Sequence, residues 1–276
     1  MIRPPLFTPE QTRVMGILNT TPDSFFDGGL WTDQERALRH AIGMAEAGAD
    51  IIDVGGESTR PGADEVSLQQ EMDRVIPVVE SIVRETATPV SVDSSKPEIM
   101  EAAVHAGASM VNDVYALRRE GALEMAVRLE VPVCIMHMQG EPREMQRAPR
   151  YDDVVSDVTG FLLERARVCE AAGIPHGRIV IDPGFGFGKT LEHNLELFRA
   201  IPQFCETGYP VLVGVSRKTM LGSLTSRPVE ELAAASVAAA VLAAQNGATI
   251  VRVHDVAETV DALKVARSLA KTAFSE

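Results

Sequence analysis

The sequence predicts an α/β fold, a single (β/α)8 TIM barrel in which eight short parallel strands alternate with eight longer helices. Short apolar runs rich in Val and Ile recur eight times, each followed by a stretch with helical periodicity. The runs are apolar throughout rather than alternating, as in strands covered by helices on both faces, and strict strand–helix alternation gives a parallel sheet. The 276 residues match the ~250 that one such barrel uses, and no linker or low-complexity tract divides them. Residues 1–276 are therefore read as one domain.

The strands are expected at Val14–Leu18, Ile51–Val54, Pro89–Val92, Met110–Val111, Val131–Met136, Ile179–Ile181, Val211–Val215 and Ile250–Val253. Helices are expected at Asp33–Ala47, Glu65–Glu85, Pro97–His105, Glu120–Leu129, Tyr151–Ala171, Leu191–Ala200, Val229–Gln245 and Val256–Leu269. Pro97 suits a first helical turn, and Gly48, Gly107, Gly173 and Gly247 stand where helices end on a glycine. Long loops follow the first two strands, Thr20–Gly29 with Phe25 and Phe26, and Gly55–Gly62. Their paired glycines suit loops that close over a substrate and exclude water.

A net charge of −13 would repel nucleic acid and anionic membranes, so neither is expected as a partner. The longest mostly apolar run, Ala233–Ala244, is far shorter than the ~20 residues that span a bilayer. That run is either close packing on the barrel or a face for a second copy. Cys134, Cys169 and Cys205 have no metal-ligand spacing, and Met1–Gln11 has no signal-peptide apolar stretch, so a reducing cytoplasm is the expected location.

Polar residues collect where the strands end, which is where this fold builds its sites. They are Asn19, Asp53, Asp93, Asn112-Asp113, His137, Asp182, Ser216-Arg217-Lys218, and Arg252 with His254. One such residue would be a turn former or cap. The sorted set, with carboxylates and amides on strands two, three, four and six and cations on seven and eight, points to a site. Asp93, Asn112 and Asp182 suit a flat heterocycle with a guanidine-like edge, a pterin or a guanine. Arg252 and His254 leave the same strand face and, with Arg60, Arg217 and Lys218, suit phosphate or diphosphate.

Gly184-Phe185-Gly186-Phe187-Gly188-Lys189-Thr190 fits neither nucleotide-binding glycine motif, since Pro183 stands where a P-loop needs glycine. It is read as a loop whose backbone leaves room for a ring, with Phe185 and Phe187 as walls and Lys189 as a helix-start charge. His137 and its flanking methionines are read as pocket lining or core, and Glu57 as a partner of Arg60.

With these residues in place, the chain resembles the dihydropteroate synthase family from about Val14 to Leu269. The resemblance rests on Met15–Phe25, Ile52–Gly62, Ser91–Ser94, Asn112-Asp113, His137–Gly140, Asp182–Thr190, Ser216–Lys218 and Arg252-x-His254. It implies that 4-aminobenzoate attacks the methylene of 7,8-dihydropterin-6-ylmethyl diphosphate, giving 7,8-dihydropteroate and diphosphate in folate synthesis. It places the pterin on Asp93, Asn112, Asp182 and Lys218 beside Met136 and Phe185. Diphosphate falls to Asn19, Arg60, Arg252 and His254, with Mg2+ at Asn19. The arylamine falls to Thr59, Pro61, Phe25, Phe187 and Ser216. Catalysis rests on Arg252, His254, Lys218, Asn19 and Arg60, in a homodimer that sulfonamides target. Phe26 departs from the small residue common at its position. The rivals are a pterin-binding methyltransferase domain, against which Ser58–Gly62 and Ser216–Lys218 speak, and a non-catalytic relative.

Overall fold

The computed structural model describes residues 11–20, 30–58, 66–140, 145 and 149–270. Eight parallel strands run in the order β6-β5-β4-β3-β2-β1-β8-β7. They are β1 (Arg13–Asn19), β2 (Ile51–Gly55), β3 (Val90–Asp93), β4 (Met110–Asp113), β5 (Val133–Met136), β6 (Ile179–Asp182), β7 (Leu212–Val213) and β8 (Ile250–Val253). A parallel bridge between Ile181 and Val211 joins β6 to the start of β7 and closes the barrel. The helices are α1 (Leu30–Glu46), α2 (Leu68–Glu85), α3 (Pro97–His105), α4 (Ala122–Leu129), α5 (Val154–Ala172), α6 (Leu191–Arg199), α7 (Ile201–Cys205), α8 (Thr219–Thr225), α9 (Ala233–Gln245) and α10 (Val256–Leu269).

Local chemistry sets the helix ends. Ser67 and Gln70 form a reciprocal capping box that starts α2, and Thr190 with His193 does the same for α6. Asp153 caps α5 by accepting from the Ser156 amide at 2.9 Å. The four glycines expected after helices all adopt left-handed backbone. The fifth strand starts two residues later than expected because Pro132 has no N–H to give a ladder. The expected Val229–Gln245 helix is instead a 3-10 turn, Val229–Glu231, followed by α9, with buried Leu232 at the corner. The short helices α7 and α8 carry too few turns to show a period and were not expected.

Two apolar layers hold the barrel. The larger lies between sheet and helices and includes Val75, Val79, Ile82, Ile99, Phe185 and Phe204. The smaller fills the barrel with Met15, Ile51, Met110, Cys134, Val180, Leu212 and Ile250, one from every strand except β3. On β3 the buried Ser91 stands beside Met110 in register. This inner layer is the floor on which the site is built.

Candidate active site at the barrel mouth

Strand alternation sends every second side chain to the same side. Two residues beyond Ile51, Ser91, Met110, Cys134, Val180 and Ile250 stand Asp53, Asp93, Asn112, Met136, Asp182 and Arg252. The layer above the apolar floor is therefore polar. Its hub is Asp53, which is fully buried. Asp53 Oδ2 accepts from Arg252 Nε at 2.6 Å and from Asn112 Nδ2 at 3.0 Å. Arg252 Nη2 also donates to Asp93 Oδ2 at 2.7 Å. Two of the five N–H groups of Arg252 are thus spent on carboxylates within the barrel, which corrects its reading as an anion clamp alone. Among the described residues no other acceptor takes up the rest, which can reach a ligand.

Burial works against the Arg252 charge, but Asp53 and Asp93 outweigh it and hold the guanidinium firmly protonated. Burial pushes the Asp93 carboxyl up to about 7, with Arg252 opposing and the charges of Asp53, Asp113 and Glu71 adding. Asp182 is raised by burial too, while Lys218 and the Gly184 amide, which donates to Asp182 Oδ1 at 2.7 Å, pull it down. Among the described residues nothing takes up Asp93 Oδ1 or Asp182 Oδ2, so each can accept from a ring N–H.

Lys218 reaches the mouth because Arg217 before it has φ 55°, a left-handed kink. The kink turns Arg217 outward to an ion pair with Asp255 and Lys218 inward, where Nζ sits 4.7 Å from the Phe187 ring centre and donates to the Phe185 carbonyl. Arg217 therefore leaves the polyanion cluster to which its charge had assigned it. Burial lowers the Lys218 ammonium to about 8, against the pull of Asp182. Ser216 Oγ lies 3.0 Å from His254 Nδ1 and accepts from the His254 amide at 3.1 Å. Asn19 ends β1, partly exposed and in register with Gly55.

The sequence profile described as "Pterin binding enzyme" matches residues 15–254. A dihydropteroate synthase of Escherichia coli (strain K12) is 52% identical over 252 residues, 91% of this chain and 89% of the relative. The chain belongs to the dihydropteroate synthase family. A Xanthomonas albilineans dihydropteroate synthase with 4-aminobenzoic acid superimposes with TM-score 0.91 and 54% identity, covering 96% of this chain and 95% of the other. The same organism's synthase in complex with 7,8-dihydropteroate gives 0.88 and 52%, covering 96% of each. The chain is thus a pterin-binding transferase of folate synthesis on a TIM barrel, and the methyltransferase rival falls away.

Several expectations about this synthase change with the geometry. Phe185 does not stand beside a ring; its side chain is fully buried under the sheet, its ring centre 6.0 Å from that of Phe198, and only its carbonyl serves the mouth. Met136 does face the mouth layer, in an apolar patch with Val114, Met138 and Met145 against which Phe187 packs. Gly184 and Gly188 of the β6 loop make room for backbone, and Gly186 for the Lys218 side chain, rather than for a ring. A Cβ on Gly184 would stand 1.9 Å from the His137 carbonyl oxygen, and one on Gly188 2.6 Å from that of Gln139. Lys189 is no surface charge: it is buried and donates to the carbonyls of Gly184 at 2.8 Å and Phe187 at 3.0 Å, with His137 Nδ1 at 3.0 Å. His137 is thereby the other half of a buried latch, edge-on to Phe161.

Glu57 pairs with Lys96 at 2.6 Å. Lys96 itself escaped the sequence reading, although a cation at the first turn of a helix, where the dipole disfavours it, was a legible signal. Asp113, read from the sequence as a strand-end polar residue of the site, instead organises a turn. It accepts from Ser95 Oγ and from the amides of Tyr115 at 2.8 Å and Leu117 at 2.7 Å, holding a turn in which Ala116 and Leu117 are both left-handed. Thr59, Arg60, Pro61, Phe25 and Phe26 lie outside the described residues.

Proposed function

We propose that this mouth runs the synthase reaction with the following division of labour. Asp93, Asn112, Asp182 and Lys218 hold the pterin ring above Met136, and Phe185 acts through the carbonyl that steadies Lys218. Arg252, His254, Asn19 and Arg60 take the diphosphate. Thr59, Pro61, Phe25, Phe187 and Ser216 receive 4-aminobenzoate, and sulfonamides compete there. The observation that carries this reading is the layer in which Arg252 stands with Asp93, Asn112 and Asp182 over an apolar floor.

The bond between methylene carbon and diphosphate oxygen breaks first, its electron pair leaving with the diphosphate, and the electron-rich pterin carries the positive charge. The amine nitrogen then adds and releases its proton to water. Arg252 is fixed before the reaction begins by Asp53 and Asp93, so its remaining donors meet the growing charge without reorganising. Among the described residues no three His, Cys, Asp or Glu gather to hold a metal. The amide of Asn19 fits Mg2+ all the same, since that ion accepts one or two protein oxygens and completes its shell with water and phosphate. Bound there, Mg2+ supplies positive charge to the leaving oxygens.

The assembly we infer is a homodimer in the cytoplasm. One face of α9 packs on the barrel through Ser236, Ala239, Ala240 and Ala243, while Ala234, Val237, Val241 and Leu242 line an outward apolar groove with Ala262. The described cysteines are all free thiols, and among the described residues no helix is long and apolar enough to cross a membrane. Diphosphate release with dihydropterin-methyl diphosphate and Mg2+, with and without 4-aminobenzoate, tests the reaction. Dihydropteroate should form, and Arg252→Ala should abolish release while the fold survives; unchanged release would end this assignment.

A further inference from the structure

We infer that Asp113 and Arg165 are positioning residues for the pterin side of the site, acting through the loop that follows β4. Asn112 and Asp113 end that strand and point to opposite faces of it. The Asn112 amide turns inward to the Asp53 hub, and Asp113 is fully buried on the other side, toward the helices. Its carboxylate accepts from Ser95 Oγ, from the Tyr115 amide at 2.8 Å and from the Leu117 amide at 2.7 Å. Burial pushes the carboxyl up, and those three donors pull it back down. The Ser95 bond bears on the mouth because Ser94 and Ser95 follow Asp93 directly. The Ser94 amide also donates to the Asn112 carbonyl at 3.1 Å, and Asp93 stands in register with Asn112. Two bonds thus cross-tie the strand ends that present Asp93 and Asn112 to the ring.

Beyond Asp113 the chain takes a conformation that needs support. Ala116 and Leu117 are both left-handed, at φ 55° and 57°, though neither is a glycine. Such strain persists only where the surroundings over-determine it, and it gathers at ligand sites. Here Asp113 holds the Leu117 amide, and Arg165 of α5 holds both carbonyls, Nε donating to Ala116 and Nη2 to Leu117. A planar guanidinium suits two acceptors side by side. The turn held in this way sets the place of Val114, which is buried and packs with Met136 in the apolar patch at the mouth. One carboxylate and one guanidinium thereby fix both the Asn112 end of β4 and the apolar wall beside the ring.

The inference rests on the assignment of Asn112 to the pterin, and the variants are chosen to separate the two. Asp113→Asn, Arg165→Met, Ser95→Ala and Asn112→Ala are compared in the full chain. The readouts are calorimetric binding of 6-hydroxymethylpterin and the KM for 4-aminobenzoate at saturating pterin diphosphate. Asp113→Asn turns one of two acceptors into a donor, and Arg165→Met removes both donors to the strained turn. Each should weaken pterin binding by roughly tenfold to a hundredfold, the loss that a misplacement of about 1 Å brings, while the amine KM stays within about twofold. Ser95→Ala removes only a hydroxyl, so it retains the fold if the others do not, and it should weaken pterin binding by about threefold or more. If pterin binding is unchanged in the variants that fold, or weakens in step with the amine KM, Asp113 and Arg165 serve the fold alone and the inference is overturned. If Asn112→Ala loses pterin binding and the other variants keep it, positioning fails while the site assignment stands. If Asn112→Ala binds pterin as the wild type does, the assignment fails and the inference falls with it.

Discussion

Replacing Lys189 by methionine should change how the stability of this synthase depends on pH. Burial pushes the Lys189 amine from 10.5 down to about 7, with Asp182 opposing and Lys218 adding, and burial first, then the Lys189 charge, brings His137 down to about 3. His137 therefore stays neutral, while Lys189 is half-charged near neutral pH. A protonated Lys189 donates to His137 Nδ1; a neutral one accepts from Nδ1–H and keeps its two N–H groups for the Gly184 and Phe187 carbonyls. Because the folded-state pKa is lowered, the unfolded chain binds more protons between pH 7 and 10.5, and stability must rise with pH across that window. Linkage with those two values gives the wild type about 2 kcal/mol between pH 7 and pH 9 from this lysine alone. The methionine variant has no such gain.

At pH 7 the variant escapes a burial cost of about 4 kcal/mol in the wild type. It leaves two carbonyls without their donor, at about 1–3 kcal/mol each, so the two proteins should be nearly equal in stability. At pH 9 the variant should be the weaker by about 2 kcal/mol. Urea unfolding of both proteins at the two pH values, with the denaturant slope checked for constancy, reads the difference directly. Parallel changes in the two proteins would refute a depressed lysine at the centre of the latch.

Three further outcomes follow from the geometry and a fourth from the sequence. Asp53→Asn keeps the shape of the hub but removes the charge that holds Arg252 Nε, a bond worth about 1.5–3 kcal/mol; kcat should fall by roughly tenfold to a hundredfold, and a change below threefold would remove Asp53 as the organiser. Gly184→Ala puts a Cβ 1.9 Å from the His137 carbonyl oxygen at a φ of 69°, so the melting temperature should fall by several degrees with most activity lost. Gly160→Ala on α5, where nothing lies within 4 Å, should be neutral or slightly stabilising. Phe26→Ser should shift sulfonamide inhibition and the KM for 4-aminobenzoate while pterin binding holds; equal inhibition of both proteins would take Phe26 out of the arylamine side.

Much of this molecule was legible in the order of its residues. Eight Val- and Ile-rich runs fixed the strands, since a strand buried on both faces has no exposed face to mark with polar residues. The alternation Ile51-x-Asp53, Met110-x-Asn112, Val180-x-Asp182 and Ile250-x-Arg252 placed the polar layer over the apolar floor, because side-chain direction along a strand has a period of two. The helix-ending glycines were equally plain, as a left-handed residue is a local requirement. Short-range rules reach that far.

Tertiary structure alone decided which charges meet. Arg252 spends donors on Asp53 and Asp93, 199 and 159 positions away in the chain. Lys96 binds Glu57 and Glu71, and Lys189 finds His137 52 positions distant. Arg217 and Lys218, adjacent and alike in charge, face opposite ways because of one left-handed residue. Phe185 turned from pocket wall to core for a related reason: Gly184 is pressed against the neighbouring strand's backbone, and the ring goes under the sheet. The sequence determined the barrel and which residues reach its mouth, because strand period and helix ends are local. Pairing at the mouth depends on which strands closure makes neighbours and on the depth at which each charge is buried, and no local pattern encodes either.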